Sequence, residues 1–127
     1  MTATPVAVQP DLEAWVWDHI KDLSGVTSWV YTAIGNWPYW QWIYGLQVDC
    51  RAGRKKQARD LAYVTVLPRL LALADEAWAD GQITYVAVTE GPSWLPDDPD
   101  GAPRYVTRLE YRVHPSRTDP ANTGGNP

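Results

Sequence analysis

Hydrophobic and polar positions change period twice in the middle of this chain, and the rest is arranged around that stretch. From Trp42 to Cys50 the residues alternate, with Trp42, Tyr44, Leu46, Val48 and Cys50 on one side and Ile43, Gly45, Gln47, Asp49 and Arg51 on the other. A period of two predicts a strand covered on one face. Gly53 breaks the alternation, and Ala58, Leu61, Ala62 and Thr65 then recur at helical spacing. This predicts one long helix from about Arg54 to Ala79, closed by Asp80-Gly81. Pro68 lies inside it, removes the bond to the Val64 carbonyl and predicts a kink.

The flanks supply the remaining elements. Leu12, Trp15, Val16, His19, Ile20 and Leu23 form an apolar stripe after Pro10-Asp11, a good helix start, and Ser24-Gly25 is a stop. Thr27 to Ile34 is rich in β-branched and aromatic residues and reads as a strand, followed by a Gly35 to Gln41 loop. Gln82 to Thr89 alternates, with Ile83, Tyr85 and Ala87 against Thr84, Val86 and Val88. Gly91 to Pro103 reads as a turn-rich loop. Arg104 to His114 has Tyr105, Thr107, Leu109, Tyr111 and Val113 on one face and Arg104, Val106, Arg108, Glu110 and Arg112 on the other. That polarity suits an antiparallel sheet with one wet face. The expected fold is α+β: a mixed or mostly antiparallel sheet of about four strands, with one long and one shorter helix packed on one face. Residues 1–10 are expected to be a flexible arm, 11–115 a single domain and 116–127 a disordered tail.

Composition narrows the class. The 127 residues carry a formal net charge of −4, which argues against nucleic acid or an anionic membrane surface as partner. Eight Trp and seven Tyr with no Phe are unusual. Two readings stay open: an interaction surface, where Trp and Tyr are enriched, or Trp simply standing in for Phe. The lone Cys50 excludes an intramolecular disulfide framework and fits a reducing compartment. Pro68 and Arg69 interrupt the apolar run Val64 to Ala74, so no membrane span is expected. Residues 1–10 lack the features of a signal peptide.

Candidate chemistry is sparse. Gly53 to Gln57 lacks the spacing of a phosphate loop. His19 sits on a helix stripe and His114 at a strand end, both read as structural. Cys50 on an apolar face is read as buried rather than nucleophilic. Asp97, Asp98 and Asp100 suit a solvated turn better than a cation site. No catalytic residue, metal ligand or cofactor is therefore expected. The basic run Arg51, Arg54, Lys55, Lys56 and Arg59 is either a solvated face or a contact for an acidic partner.

Three segments give a resemblance: LQVDCRAGRKKQARDLA, a strand, short turn and Lys/Ala/Arg-rich helix; GPSWLPDDPDGAPRYV before the last strand; and the closing YRVHP. Their order from Asp11 to Pro115 resembles the tail terminator (tail completion) proteins of long-tailed, siphovirus-type bacteriophages. The segment NWPYWQWIYG and Pro68 depart from that pattern. The resemblance implies a structural, non-enzymatic protein of the virion tail, made in the host cytoplasm. It implies a ring, hexameric in the family, on the end of the tail tube, which stops polymerisation and receives the head connector. The implied partners are further copies of the chain, the tube protein and the neck proteins, with no membrane and no sequence-specific nucleic acid contact. Other neck proteins, head-tail joining or head-closure subunits, have similar composition; a small ligand- or nucleic-acid-binding domain is the remaining alternative. Expected interface residues are Trp37, Tyr39, Trp40, Trp42, Arg51, Arg54, Lys55, Trp94, Arg104, Arg108 and Arg112.

Overall fold

A computed structural model describes residues 5–36, 41–95, 102–116 and 118–120. The strand with period two is its centre. Strands β1 (Pro5–Ala7), β2 (Val26–Asn36), β3 (Gln41–Arg51), β4 (Ala77–Trp78), β5 (Gly81–Leu95), β6 (Arg104–Pro115) and β7 (Thr118–Pro120) alternate with helices α1 (Leu12–Ile20), α2 (Lys55–Asp60) and α3 (Leu67–Leu71). Among the described residues one sheet has five strands in the order β2-β3-β6-β5-β4, antiparallel throughout. The fold is α+β, as expected, with one more short strand than expected.

The core lies between one face of this sheet and the helices. Tyr44, Leu46, Val48 and Cys50 of β3 and Tyr105, Leu109, Tyr111 and Val113 of β6 are buried against Leu12, Val16 and Ile20 of α1. Asp11 caps α1, its carboxylate accepting the Ala14 N–H at 3.1 Å. Two tyrosine hydroxyls inside the core are satisfied by carbonyls, Tyr44 on Pro10 at 2.5 Å and Tyr111 on Leu70 at 2.9 Å.

The long helix is broken up. It ends at Leu71, not near Ala79, and its middle, Leu61–Val66, is π-helical. Pro68 has no N–H for the Val64 carbonyl, and the Leu67 N–H reaches back five residues to the Ala62 oxygen. The buried residues Ala58, Ala62, Val66 and Leu70 recur every four positions. Four residues overshoot an α-helical turn by about 40°. The wider turn cancels part of that drift and keeps all of them on the sheet. Val64 stays exposed, where water can reach its carbonyl.

Beyond Leu71 the sheet edge wins over helix propensity. Asp75 takes a positive φ of 67°, which Asp tolerates. The Asp75 N–H then donates to the Ile83 oxygen, the Ile83 N–H donates to the Glu76 oxygen, and β4 follows. Trp78 stacks on Trp15 with ring centroids 4.4 Å apart.

Two more expectations are corrected. The second hairpin strand does not end at Thr89: β5 runs to Leu95, and Trp94 pairs opposite Tyr105 inside the ladder. Pro92 is tolerated because it falls in the irregular register between Glu90 and Ser93, where its missing N–H is not needed. The Ile83, Tyr85, Ala87 face is broken too. A register shift between Ile83 and Tyr85 sends Tyr85 to the outer face and turns Val86 toward the core. Apart from the main sheet, β1 and β7 pair antiparallel. Pro10 is held by Tyr44, and the Ser116 N–H by the Asp80 carbonyl, so the two chain segments leave the domain side by side.

Gly25 makes the α1-to-β2 turn at a φ of +81°, and its carbonyl accepts the Arg51 N–H at 2.8 Å. A Cβ there would collide with the Arg51 carbonyl. Gly25→Ala is expected to lower unfolding free energy by more than about 1 kcal/mol, measured by urea denaturation.

Candidate functional site

The face of the sheet turned away from the helices is open over most of its length and closed at one end, where Asp49 and Val106 are buried. Antiparallel register alone places its residues: Arg104, Arg108 and Arg112 are spaced by four along β6, so all lie on this face with Glu110. On β3, Ile43 stands opposite Arg112, Gly45 opposite Glu110, Gln47 opposite Arg108 and Arg51 opposite Arg104, with Asp49 opposite Val106 between the last two. Strand β5 adds Tyr85, Ala87 and Glu90, and β2 adds Trp29, Tyr31, Thr32 and Ile34.

These side chains form a ladder. Arg104 reaches Asp49 at 3.2 Å, Gln47 donates to Asp49 at 3.2 Å, and Arg108 Nε donates to Gln47 at 3.1 Å. Arg108 also lies 3.6 Å from Glu90 and Arg112 lies 2.8 Å from Glu110. Each of these last two arginines covers a tyrosine ring: Arg108 over Tyr31 at 5.3 Å and Arg112 over Tyr85 at 4.5 Å. Gly45 makes this possible, because a Cβ there would stand 2.6 Å from Tyr31 Cζ.

The ladder is graded in burial. The Asp49 side chain is 4% exposed, whereas Arg108 and Arg112 are 44% and 42% exposed. Exposed pairs contribute at most about 1 kcal/mol. The Arg104–Asp49 pair is therefore the structural rung, and the outer arginines are free to serve a surface.

The expected interface residues divide accordingly. Arg104, Arg108 and Arg112 come together on the open face. Trp42 does not: it is half-buried and packs against the core. Its place in the alternation with Tyr44 and Leu46 puts it on the covered side. Trp94 and Lys55 form a separate pair on the helix side, with the Lys55 ammonium 3.6 Å from the ring centroid. Arg54 is the exposed cap of α2 and Arg51 the half-buried end of β3. Trp37, Tyr39 and Trp40 lie outside the described residues, as do Asp97, Asp98 and Asp100. Tyr31, Tyr85, Gln47, Asp49 and Glu90 were missed. Tyr85 follows a bulge that shifts its side-chain parity, Tyr31 is itself the extra residue of the β2 bulge, and only Gly45 in mid-strand hinted at a ring lying over it.

Three titratable side chains, Cys50, Tyr44 and Tyr111, are buried in the core. Burial, helped by the Asp49 charge, pushes the Cys50 thiol up to about 12, and burial also raises Tyr44 and Tyr111. His19 Nδ1 lies 2.8 Å from the Trp15 carbonyl, at the core edge. Among the described residues no three His, Cys, Asp or Glu side chains stand together to hold a metal ion. No helix there is long and apolar enough to cross a membrane. Compared with known proteins, the chain matches no family model and no curated sequence.

Asp49→Ala leaves Arg104 and the Gln47 amide without their acceptor, and is expected to cost about 1–3 kcal/mol of stability. Arg108→Ala should change it by less than about 1 kcal/mol. Urea unfolding of the two variants side by side checks the grading. For Cys50, the folded chain holds the thiol proton more tightly than the unfolded chain. Its contribution is present below about pH 8.5, where an unfolded thiol titrates, and is lost as the pH rises toward 12. Unfolding free energy should fall over that window, and less so in Cys50→Ala.

Proposed function

We propose that this chain is a structural subunit of the head-tail junction of a siphovirus-type phage: a tail terminator. Copies of it form a ring on the end of the tail tube, stop its growth and present a surface to the head connector. It works by contact and not by catalysis.

The observation that carries this reading is the uncovered sheet face. A monomer that covers one face with helices and leaves the other as a ladder of Arg, Tyr and Trp has the residue types enriched in protein interfaces. Exposed Trp29, Tyr31, Ile34 and Tyr85 add apolar area between the charged rungs. The ordered motifs LQVDCRAGRKKQARDLA, GPSWLPDDPDGAPRYV and YRVHP support the family. A ring of identical subunits needs two different surfaces that meet head to tail and close by rotation.

The test is genetic. Removing this gene from its phage should give headless tails that overrun their normal length in electron micrographs. Normal-length tails beside separate DNA-filled heads would make the chain a joining protein instead. Infectious particles of normal appearance would end the assembly reading.

A further inference from the structure

The two edges of the sheet share a property that the ladder does not explain. Edge strands of monomeric proteins are blunted by charge, proline or shortness. Strand β2 is 11 residues long, ends the sheet, and has neither charge nor proline in VTSWVYTAIGN. Its Val30 N–H is held by the Glu13 carboxylate at 2.8 Å. At the other side β4 covers β5 only at Gly81 and Gln82. Beyond Ile83, the run Thr84 to Thr89 is again uncharged. Among the described residues no backbone partner lies along the outer side of Tyr85–Val88.

The two edges also match. Following the registers across the sheet, Thr32, Ala33 and Ile34 lie level with Ala87, Val86 and Tyr85. Three successive antiparallel pairings make β2 and β5 run in opposite directions. Copies placed side by side with little axial offset therefore bring β2 against the next copy's β5 as an antiparallel pair. Ile34 and Tyr85, exposed by 58% and 43%, fall opposite each other on the same face.

We infer that the subunits join edge to edge, β2 of one copy pairing with β5 of the next, so that the sheet runs on through the assembly. This rests on the ring reading for the choice of occupant, a second copy, and names the surfaces by which it forms. The two edges are different, so the contact is heterologous and propagates. Rotation between copies decides closure. The ladder face is then continuous from subunit to subunit.

The full chain carrying Ile34→Cys and Tyr85→Cys is oxidised mildly at high concentration and on assembled particles, then run on a non-reducing gel. Directly opposed residues of an antiparallel pair come within disulfide reach. A ladder of covalent multimers is expected from the double variant. Each single variant should stay monomeric, because its thiol has no partner. A dimer from Ile34→Cys alone would overturn the inference in favour of two β2 edges meeting. Absence of the ladder in both settings would overturn it outright. As a second readout, Ile34→Lys with Tyr85→Lys places like charges opposite each other. It should weaken self-association by more than about tenfold in sedimentation while leaving the circular dichroism spectrum unchanged. Unaltered association would also overturn it. The two readings fail separately: overlong tails on gene removal with no ladder sink the edge pairing alone, and a ladder with normal tails on gene removal sinks the terminator alone.

Discussion

The register between β3 and β6 is the constraint on which the rest depends. Leu46 stands opposite Leu109 and Tyr44 opposite Tyr111, which puts the apolar set of both strands under the helices. The same pairing sets Gln47 opposite Arg108 and Asp49 opposite Val106, building the ladder on the reverse side. A slip of one residue would exchange the two faces, burying arginines and exposing the core. Burying a large apolar side chain contributes about 1.5–3 kcal/mol, more than any exposed rung of the ladder. The core therefore decides the register and the ladder follows it.

Around this pair the chain uses irregularity to reconcile conflicting demands. The π-helical turn before Pro68 keeps a four-residue repeat on the sheet. The bulge in β2 lays Tyr31 over Gly45, and the first shift in β5 carries Tyr85 outward beneath Arg112. Thr84 and Thr89 satisfy the disturbed ladder by donating to the Arg112 and Arg108 carbonyls at 3.2 and 3.1 Å. Each irregularity moves one ring or closes one turn without disturbing β3 and β6. The outer face thus gains aromatic surface without loss to the core.

The proposed assembly role needs stability from inside and contact from outside, and the two sides of this sheet suit that division. Asp49 and Arg104 belong to the first, because removing one leaves the other's polar atoms poorly solvated. Arg108, Arg112, Tyr31 and Tyr85 suit the second under that proposal, exposed enough to exchange their present partners at low cost. Uncharged edges suit a chain whose sheet is completed by another copy, since a long bare edge is a hazard for a monomer.

The alternation in Trp42 to Cys50 and in Arg104 to His114 was enough, by itself, to determine the central strands, their buried sets and the arginine face. Strand periodicity is local, and burial of one face enforces it. The α1 stripe and its Asp11 cap were legible for the same reason. Tertiary structure alone decided the rest. The helix stops at Leu71 because the edge of β5 offers backbone partners to Asp75 and Glu76, residues of good helix-forming surroundings. The parity of Tyr85 follows from a bulge, which no local pattern announces. The pairing of β1 with β7 joins segments at opposite ends of the chain, each too weak alone to show a pattern. The level match of Thr32–Ile34 with Tyr85–Ala87 exists only once four strands are in register, because it is a property of the sheet and not of either strand.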